Sequence, residues 1–433
     1  MAPRKRPRRA EVDTDRLKGS NEPSHGGQTS VSNRLRPLHI FSFLFVVVFF
    51  LAVSIAFYWS SPSHRIAMVP VLSVQERGLV KSDVVYREIL DENARVPLNR
   101  SFRYFSNPVL AYITPWNSRG YEVAKEFTSK FTHLSPVWYE LKSQGKKLFL
   151  DGRHNVDMAW MLELKKSRNA LVLPRVVLEA FPADLLLKKK QWSKATDIIL
   201  KECKELEYDG IVLESWSRWA HYGVLHDPDM RRMALEFIKH VGLALHSLNS
   251  IRNSSHHLEL IYVIPAPRSQ NLAEYDFGPQ DLHQIADVVD GFSLMTYDFS
   301  GPQNPGPVAP LSWIHSSLQL LLGADNQDGP PRHASKIFLG INLYGSDFVV
   351  TGGSGMEAII GRDYLSKLEM HRAVLRWDEK SAEHFFIYSQ HNLQRAVFYP
   401  TLKSISVRLD AARSWGAGLS LWEIGQDHIY GRR

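Results

Sequence analysis

The chain has 433 residues, a net charge of +7, 44% hydrophobic residues and 22% charged residues, a globular composition that excludes wholesale disorder and collagen-like repeats. Nine basic and four acidic residues lie in positions 1–37, so this tail carries most of the net charge and the remaining chain is nearly neutral. We therefore predict no nucleic-acid partner. A single cysteine, Cys203, excludes an internal disulfide and a thiolate metal cage.

The first predicted element is a membrane-spanning helix. Residues Ile40–Trp59 are uncharged and mostly apolar, and a helix of this length extends about 30 Å, the thickness of a hydrocarbon core. The basic tail precedes this run, so the positive-inside rule places residues 1–37 in the cytosol. We expect an uncleaved anchor over 38–59. The chain would then be a single-pass type II membrane protein of the secretory pathway, in the ER, the Golgi or beyond, with its remainder luminal or extracellular.

Two acceptor sequons for N-glycosylation follow the anchor, at Asn99 and Asn253. Both lie on the side of the membrane where glycosylation takes place, so both are predicted glycosylation sites. Residues 60–106 have a mixed composition and are predicted to form a stem.

From about residue 107, short apolar runs alternate with longer segments of helical period, which is typical of strand–helix units with a parallel sheet. Eight strands are predicted, at Val109–Thr114, Phe131–Val137, Ala170–Val176, Gly210–Ser215, Leu258–Ile264, Gly291–Thr296, Lys336–Asn342 and Gly418–Trp422. Several are apolar almost throughout, as strands covered on both faces are. Eight such strands predict an α/β fold, a closed (β/α)8 TIM barrel whose active face lies at the C-terminal ends of the strands.

Two segments between these strands have patterns of their own. Residues 346–395 are too long for a loop and contain a periodic segment at Asp363–Arg376 and a possible strand at His384–Tyr388. We expect a small inserted α+β subdomain there, between the seventh and eighth strands. In Ser193–Tyr208 the apolar residues share one helical face, so Cys203 is predicted to be a buried core residue and not a nucleophile.

Polar and aromatic residues gather at the ends of the predicted strands, where a barrel forms its substrate site. The segments in chain order are AYITPWNSRGY (111–121), FTHLSPVW (131–138), DGIVLESW (209–216), DGFSLMTYD (290–298), KIFLGINLYG (336–345) and VFYPTLKSI (397–405) followed by GAGLSLWEIGQ (416–426). Jointly they resemble glycoside hydrolase family 18, the chitinases and chitinase-like lectins, and most of all its chitinase domain-containing branch, which is known for saccharide binding. The resemblance covers about residues 107–433. It implies a (β/α)8 barrel with a groove for N-acetylglucosamine-containing glycans, no metal and no cofactor.

The family's catalytic stretch reads Asp-Gly-x-Asp-x-Asp-x-Glu. Its final Glu is the general acid, and the preceding Asp orients the substrate acetamido group that attacks the anomeric carbon. Side chains alternate along a strand, so the even positions face the barrel interior together; here they are Gly210, Val212, Glu214 and Trp216. Indole cannot donate a proton to a leaving oxygen near neutral pH, and Glu214 lies two residues deeper, about 6.6 Å along the strand. The family's mechanism therefore lacks its proton donor in this chain.

The residues for recognition are retained. Tyr297 and Asp298 match the family's Met-x-Tyr-Asp residues, which contact the acetamido group, and Trp422 matches the tryptophan that floors the central sugar subsite. Trp216 is expected in the groove, where it would stack on a sugar or plug the site. Glu214, Trp216, Tyr297, Asp298 and Trp422 are thus the predicted substrate-binding residues, and each could instead be a structural residue of the barrel.

We expect a membrane-anchored chitinase-like protein that binds N-acetylglucosamine-containing, chitin-like oligosaccharides without hydrolysing them. One alternative is an active glycosidase on an unusual glycan with Glu214 as a catalytic residue, for which Asp298 or Glu423 would be the second carboxylate. Another is a scaffold whose groove is plugged by Trp216 and whose partner is a protein. The 18 histidines form no mixed carboxylate cluster in the sequence, so no metal site is predicted.

Overall fold

A computed structural model of the chain describes residues 45–55, 73–95, 102–145, 147–167, 169–249, 256–323 and 331–426. The chain divides into two compact units, Met1–Pro70 and Val71–Arg433. In the first unit, helix α1 (45–55) has exposed side chains and lies within the predicted anchor 38–59. No helix in the described part is long and apolar enough to cross a membrane. The tail 1–37 and the sequons at Asn99 and Asn253 lie outside the described residues.

The second unit is built around a closed barrel of eight parallel strands. The strands are β1 (Val109–Ile113), β2 (His133–Gln144), β5 (Arg175–Leu178), β6 (Gly210–Glu214), β7 (Glu259–Pro265), β8 (Gly291–Met295), β9 (Ile337–Asn342) and β15 (Gly418–Trp422). Each pairs in parallel with the next, and β15 pairs with β1 to close the ring. The predicted (β/α)8 barrel is confirmed.

Helices surround the barrel and cover its outer face. They are α3 (Arg119–Glu126), α4 (Met158–Ser167), α5 (Pro182–Leu186), α6 (Lys189–Leu206), α7 (Trp216–His221), α8 (Pro228–His246), α9 (Pro279–Ile285), α10 (Leu311–Leu322) and α12 (Leu402–Trp415). Outward-facing strand residues such as Ile211 and Leu213 share one core with them. Cys203 of α6 is buried in this layer, and burial raises the pKa of its thiol to about 12, which makes it an inert core residue.

The strand pleat gives the barrel a separate inner core. Tyr112, Val212, Ile261 and Phe338 cluster inside the ring, whereas the residues beside Val212 on β6 pack outward. This alternation is the period of two that an extended strand imposes. It determines which side chains can reach a ligand at the mouth of the barrel.

Two strands differ from the prediction. Strand β2 continues to Gln144 and turns back as the antiparallel strand β3 (Lys147–Asp151). The predicted third strand is divided into β4 (Leu171–Val172) and β5, both of which pair with β2. Pro174 lies in the interruption, and proline has no N–H to donate to a strand ladder.

The chain between β9 and α12 forms a second sheet of five antiparallel strands, in the order β11-β10-β14-β13-β12. Its elements are β10 (Gly345–Thr351), β11 (Met356–Ile359), α11 (Gly361–His371), β12 (Arg376–Asp378), β13 (Glu383–Gln390) and β14 (Leu393–Phe398). This α+β unit lies where the sequence predicts an insertion over 346–395. It has its own core, which includes Tyr364, Phe386 and Val397.

Part of the segment predicted as a stem, 60–106, is folded onto this insertion. Helix α2 (Tyr86–Asn93) packs against α11, and its Ile89 enters the same core as Tyr364. The Nε2 atom of His384 lies 2.9 Å from the carbonyl oxygen of Ser82. A helix of two turns has too few residues to display an apolar period in the sequence, which is why the composition alone predicts a stem.

Candidate functional site

The candidate site is the mouth of the barrel, at the C-terminal ends of its strands. Its floor is apolar and contains Leu110, Val212, Ile261 and Phe338. The polar and aromatic groups that accompany this floor come from five different strands or strand ends, at Tyr112, Arg175, Glu214, Tyr297 and Trp422. The sequence separation of these residues is large, so the site exists only in the closed barrel.

Glu214 ends strand β6 and forms an ion pair with Arg175 of the neighbouring strand β5. The Nε atom of Arg175 donates to Glu214 Oε2 over 2.7 Å, and a second guanidinium nitrogen contacts the same oxygen. Both side chains are only 15% exposed. Charge-assisted hydrogen bonds of this kind are strong where water is largely excluded. Glu214 is therefore held as the partner of a cation, whereas a general acid must have a proton to deliver.

Trp422 covers the same cation. The guanidinium carbon of Arg175 lies 5.4 Å from the centre of the Trp422 ring, within the range of a cation–π contact. The ring of Tyr112 meets Trp422 in a T-shaped contact with 5.1 Å between centroids. The Tyr112 hydroxyl donates to Ser293 Oγ over 2.9 Å, and burial raises its pKa above the ordinary range. Trp422 is thus a partly exposed residue whose ring packs against both Arg175 and Tyr112.

Asp298 follows strand β8 and has a left-handed backbone, with φ of +58°. Few non-glycine residues adopt this conformation, and aspartate tolerates it better than most. The carboxylate Oδ1 accepts a hydrogen bond from the Tyr344 hydroxyl. The backbone carbonyl accepts another from Arg268 over 2.6 Å. These contacts hold an exposed carboxylate in a fixed place at the rim of the mouth.

Tyr297 lies between this carboxylate and the interior. Burial raises the pKa of Tyr297 well above its ordinary value, and the nearby Tyr112 and the negative charges of Glu214 and Asp298 raise it further. The hydroxyl is therefore protonated and able to donate. A methyl group added at Gly340 of β9 would lie 2.9 Å from the Tyr297 ring, so the glycine makes room for it.

Trp216 lies outside the barrel interior, which corrects the prediction that it lines or plugs the groove. Strand β6 ends at Glu214 and helix α7 begins at Trp216. The dihedral angles of Ser215, φ −151° and ψ −30°, leave the extended conformation, so the alternation by twos does not reach residue 216. The indole is fully buried in the outer core. It packs 4.9 Å from the Phe277 ring and donates to the Tyr275 carbonyl over 2.9 Å.

Glu423, the other candidate for a second carboxylate, is fully buried in a structural role. Asn117 Nδ2 donates to its Oε1 over 2.6 Å, and the backbone N–H of Gly425 donates to its Oε2 over 2.8 Å. Burial raises the pKa of this carboxyl. The contacts tie the segment after β1 to the end of β15.

The Asp209-Gly210 pair also has a structural role. Asp209 Oδ2 accepts from the backbone N–H of Val172 over 2.9 Å. Gly210 has φ of +150°, and a Cβ there would lie 2.0 Å from the carbonyl oxygen of Glu259 on β7. Only glycine permits this approach. The pair therefore ties the beginning of β6 to β4 and β7, at the N-terminal end of the barrel and away from the mouth.

Two residues that the sequence analysis does not select complete the site. Arg175 holds Glu214, and Tyr344 holds Asp298. Tyr344 stands two residues after a predicted strand, a position that could have pointed to it. Arg175 gives no such signal, because the division of the third strand at Pro174 obscures which of its residues face inward.

The family model described as glycosyl hydrolases family 18 matches residues 109–427, a range that includes every barrel strand. A curated relative, the uncharacterized glycosylase YvbX of Bacillus subtilis, is 26% identical over 216 residues. The alignment covers 48% of this chain and 58% of the relative. The chain thus spans little more than half the length of that relative.

Several solved structures share the fold. A chitinase of Chromobacterium violaceum has a TM-score of 0.60 at 19% identity, over 76% of this chain and 98% of its own. A class V chitinase of Pseudomonas fluorescens has a TM-score of 0.61 at 21% identity, with the same coverage. A family 18 chitinase of Cycas revoluta, solved in complex with (GlcNAc)3, has a TM-score of 0.59 at 15% identity, over 75% of this chain and 97% of its own. At these identities the likeness establishes the barrel fold.

The ion pair at the mouth predicts the stability of variants. We expect Arg175→Met to lower the free energy of unfolding by about 3 kcal/mol, because it leaves the largely buried Glu214 carboxylate without its cation. Urea unfolding of the purified variants measures this change.

The double variant Arg175→Met with Glu214→Gln is the matched control. It should recover much of the lost stability, because neither partner then leaves an isolated charge. A double variant as unstable as the sum of the two single variants would contradict the pairing.

Proposed function

Because this chain belongs to glycosyl hydrolase family 18, we propose that its barrel mouth binds N-acetylglucosamine-containing, chitin-like oligosaccharides and does not hydrolyse them. The observation that carries the proposal is the residue that occupies the position of the family's proton donor. Residue 216 is a tryptophan buried in the outer core, while Tyr297, Asp298 and Trp422 remain at the mouth. The site thus keeps the groups for recognition and lacks the group for protonation.

The groups at the mouth suit an N-acetylated sugar. Trp422 is partly exposed, and an indole ring has a flat apolar face on which the C–H face of a sugar ring can stack. An acetamido group has one N–H donor and one carbonyl acceptor. The Tyr297 hydroxyl can donate to the carbonyl, and Asp298 can accept from the N–H, since its carboxylate has acceptor sites beyond the one used by Tyr344.

Glycosidic cleavage has a requirement that these groups do not meet. When the acetamido oxygen attacks the anomeric carbon, the leaving oxygen must receive a proton from an acid within about 3 Å. Glu214 is engaged by Arg175, and Glu423 is engaged by Asn117 and Gly425. Asp298 Oδ1 accepts a hydrogen bond from the Tyr344 hydroxyl. Each of these three carboxylates is thus engaged in hydrogen bonds within the protein and is not positioned as the acid for a leaving oxygen.

The apolar run 40–59 supports a further part of the proposal, which concerns location. We infer that the chain is anchored through residues 38–59 as a single-pass type II protein of the secretory pathway. The barrel would then be luminal or extracellular, where chitin-like oligosaccharides on glycoproteins are accessible.

Trp422 provides the direct test of binding. We expect Trp422→Ala to lower the affinity for a chito-oligosaccharide at least about fivefold, about 1 kcal/mol, because the stacking surface is lost. Isothermal titration calorimetry measures the affinity. No heat from the unaltered chain at millimolar ligand would refute the proposed function.

Trp216→Phe is the control for that experiment. It removes a tryptophan of the outer core, so the melting temperature should fall while the affinity stays unchanged. A loss of affinity as large as that of Trp422→Ala would mean that residue 216 acts on the groove after all.

Hydrolysis is tested separately with a chito-oligosaccharide that carries a fluorescent aglycone. We expect no release above the uncatalysed background, because the three carboxylates described above are each held by other groups and do not protonate the leaving oxygen. Release that disappears in Glu214→Gln, with binding retained, would instead establish a glycosidase that uses Glu214.

Membrane anchoring is tested on sealed vesicles from cells that express the full chain. Alkaline carbonate should leave the chain in the membrane, since an apolar helix of this length inserts stably. External protease should remove only the tail 1–37. Complete release by carbonate, or digestion of the barrel in intact vesicles, would refute the anchor or its orientation.

A further inference from the structure

A second cluster of chemically active side chains lies at the opposite, N-terminal end of the barrel. His246 is the last residue of α8, and His257 forms a bridge with Asn249 shortly before β7. Asp290 directly precedes β8. One ligand atom of each of the three lies within 4.8 Å of the others. The spacing of these residues in the sequence predicts no metal site, yet the fold places them together. Asp290 is 44 residues from His246 and 33 from His257, so only the fold brings them together.

Both imidazoles converge on one carboxylate. His246 Nε2 lies 2.9 Å from Asp290 Oδ2, and His257 Nε2 lies 2.9 Å from Asp290 Oδ1. The two rings are 4.0 Å apart between centroids. The backbone N–H of Leu260 donates to Asp290 Oδ2 over 2.7 Å and fixes the carboxylate. A backbone partner that orients a ligating side chain is a recurrent feature of metal sites.

The position of the cluster also favours a cation. The last carbonyl groups of a helix carry a partial negative charge, and His246 ends the 19-residue helix α8. Asp290 adds a full negative charge. His246 and Asp290 are each 22% exposed and His257 is 43% exposed. Solvent therefore has a path to the cluster, and a water molecule can complete a coordination shell.

We propose that His246, His257 and Asp290 bind one zinc ion. Imidazole nitrogen and carboxylate oxygen are ligands that zinc accepts, and three protein ligands with one water molecule make up its tetrahedral shell. Calcium and magnesium prefer all-oxygen shells, which two imidazoles do not supply. The ion cross-links the end of α8 to the segments that directly precede β7 and β8. The site is independent of the proposed glycan function.

The test uses the full chain in detergent, without a polyhistidine tag and stripped of metal with a chelator. Zinc alone is titrated in competition with a chromophoric chelator, and cobalt(II) is added separately to read its visible absorption. We expect one tight equivalent of zinc, a tetrahedral cobalt spectrum, and a melting temperature that rises with zinc. The absence of a saturable equivalent would overturn the proposal.

Two variants separate this site from adventitious binding. His257→Ala changes the most exposed ligand, so the fold should survive, and we expect zinc affinity to fall at least about tenfold with loss of the cobalt spectrum. His256→Ala, the adjacent histidine outside the cluster, should bind zinc as the parent does. Equal zinc affinity in His257→Ala and the parent would refute the site, as would a loss of binding confined to His256→Ala. Asp290→Asn serves as a second ligand variant, with folding checked by circular dichroism.

Discussion

The ion pair between Arg175 and Glu214 determines what the barrel mouth can do. The two residues lie on neighbouring strands, where Arg175 is in register with Val212 and Val177 is in register with Glu214. The pleat directs both side chains inward, where each is only 15% exposed. A charge in such a place is stable only beside its counter-charge. The pair in turn provides the cation that lies against the Trp422 ring, so the position of the proposed stacking surface depends on it.

The proposed function treats protonation and recognition as separate tasks. Protonation would fall to the residue after the fourth barrel strand, whereas recognition would fall to residues after β8 and at the end of β15. Strands of a barrel are joined by independent loops, so the end of one strand can change while the others stay in place. Here the fourth strand ends at Glu214, and helix α7 begins at Trp216. A carboxyl group at residue 216 would therefore lie in the outer core, where the indole is buried.

The sequence predicts the barrel well because strands buried on both faces form conspicuous apolar runs, and eight such runs lead to one closed ring. It predicts that Tyr297, Asp298 and Trp422 lie at the mouth because they stand at strand ends in a recognisable order.

The sequence misplaces Trp216, because the alternation of side chains along a strand does not continue past Glu214 and Ser215 carries no sequence signal that the strand stops there. It misses the extension of β2 into β3, and it misses Arg175, because both depend on where a strand leaves the barrel wall or is interrupted. The cluster of His246, His257 and Asp290 joins distant segments, which no local spacing can indicate.

Strand β8 lies between the candidate site at the barrel mouth and the proposed zinc site at the opposite end of the barrel. Asp290 precedes it, and Tyr297 and Asp298 follow it. The strand is paired on both sides, with β7 and β9. The side chains on both of its faces are buried. Coupling between two sites needs an element with two alternative arrangements, and mere continuity of a strand does not supply one. A shift of one residue in a fully paired strand would move its apolar residues to the wrong face. An ion at Asp290 should therefore stabilise the lower end of the barrel without altering the geometry of the mouth. The fold can thus hold two independent sites on one strand.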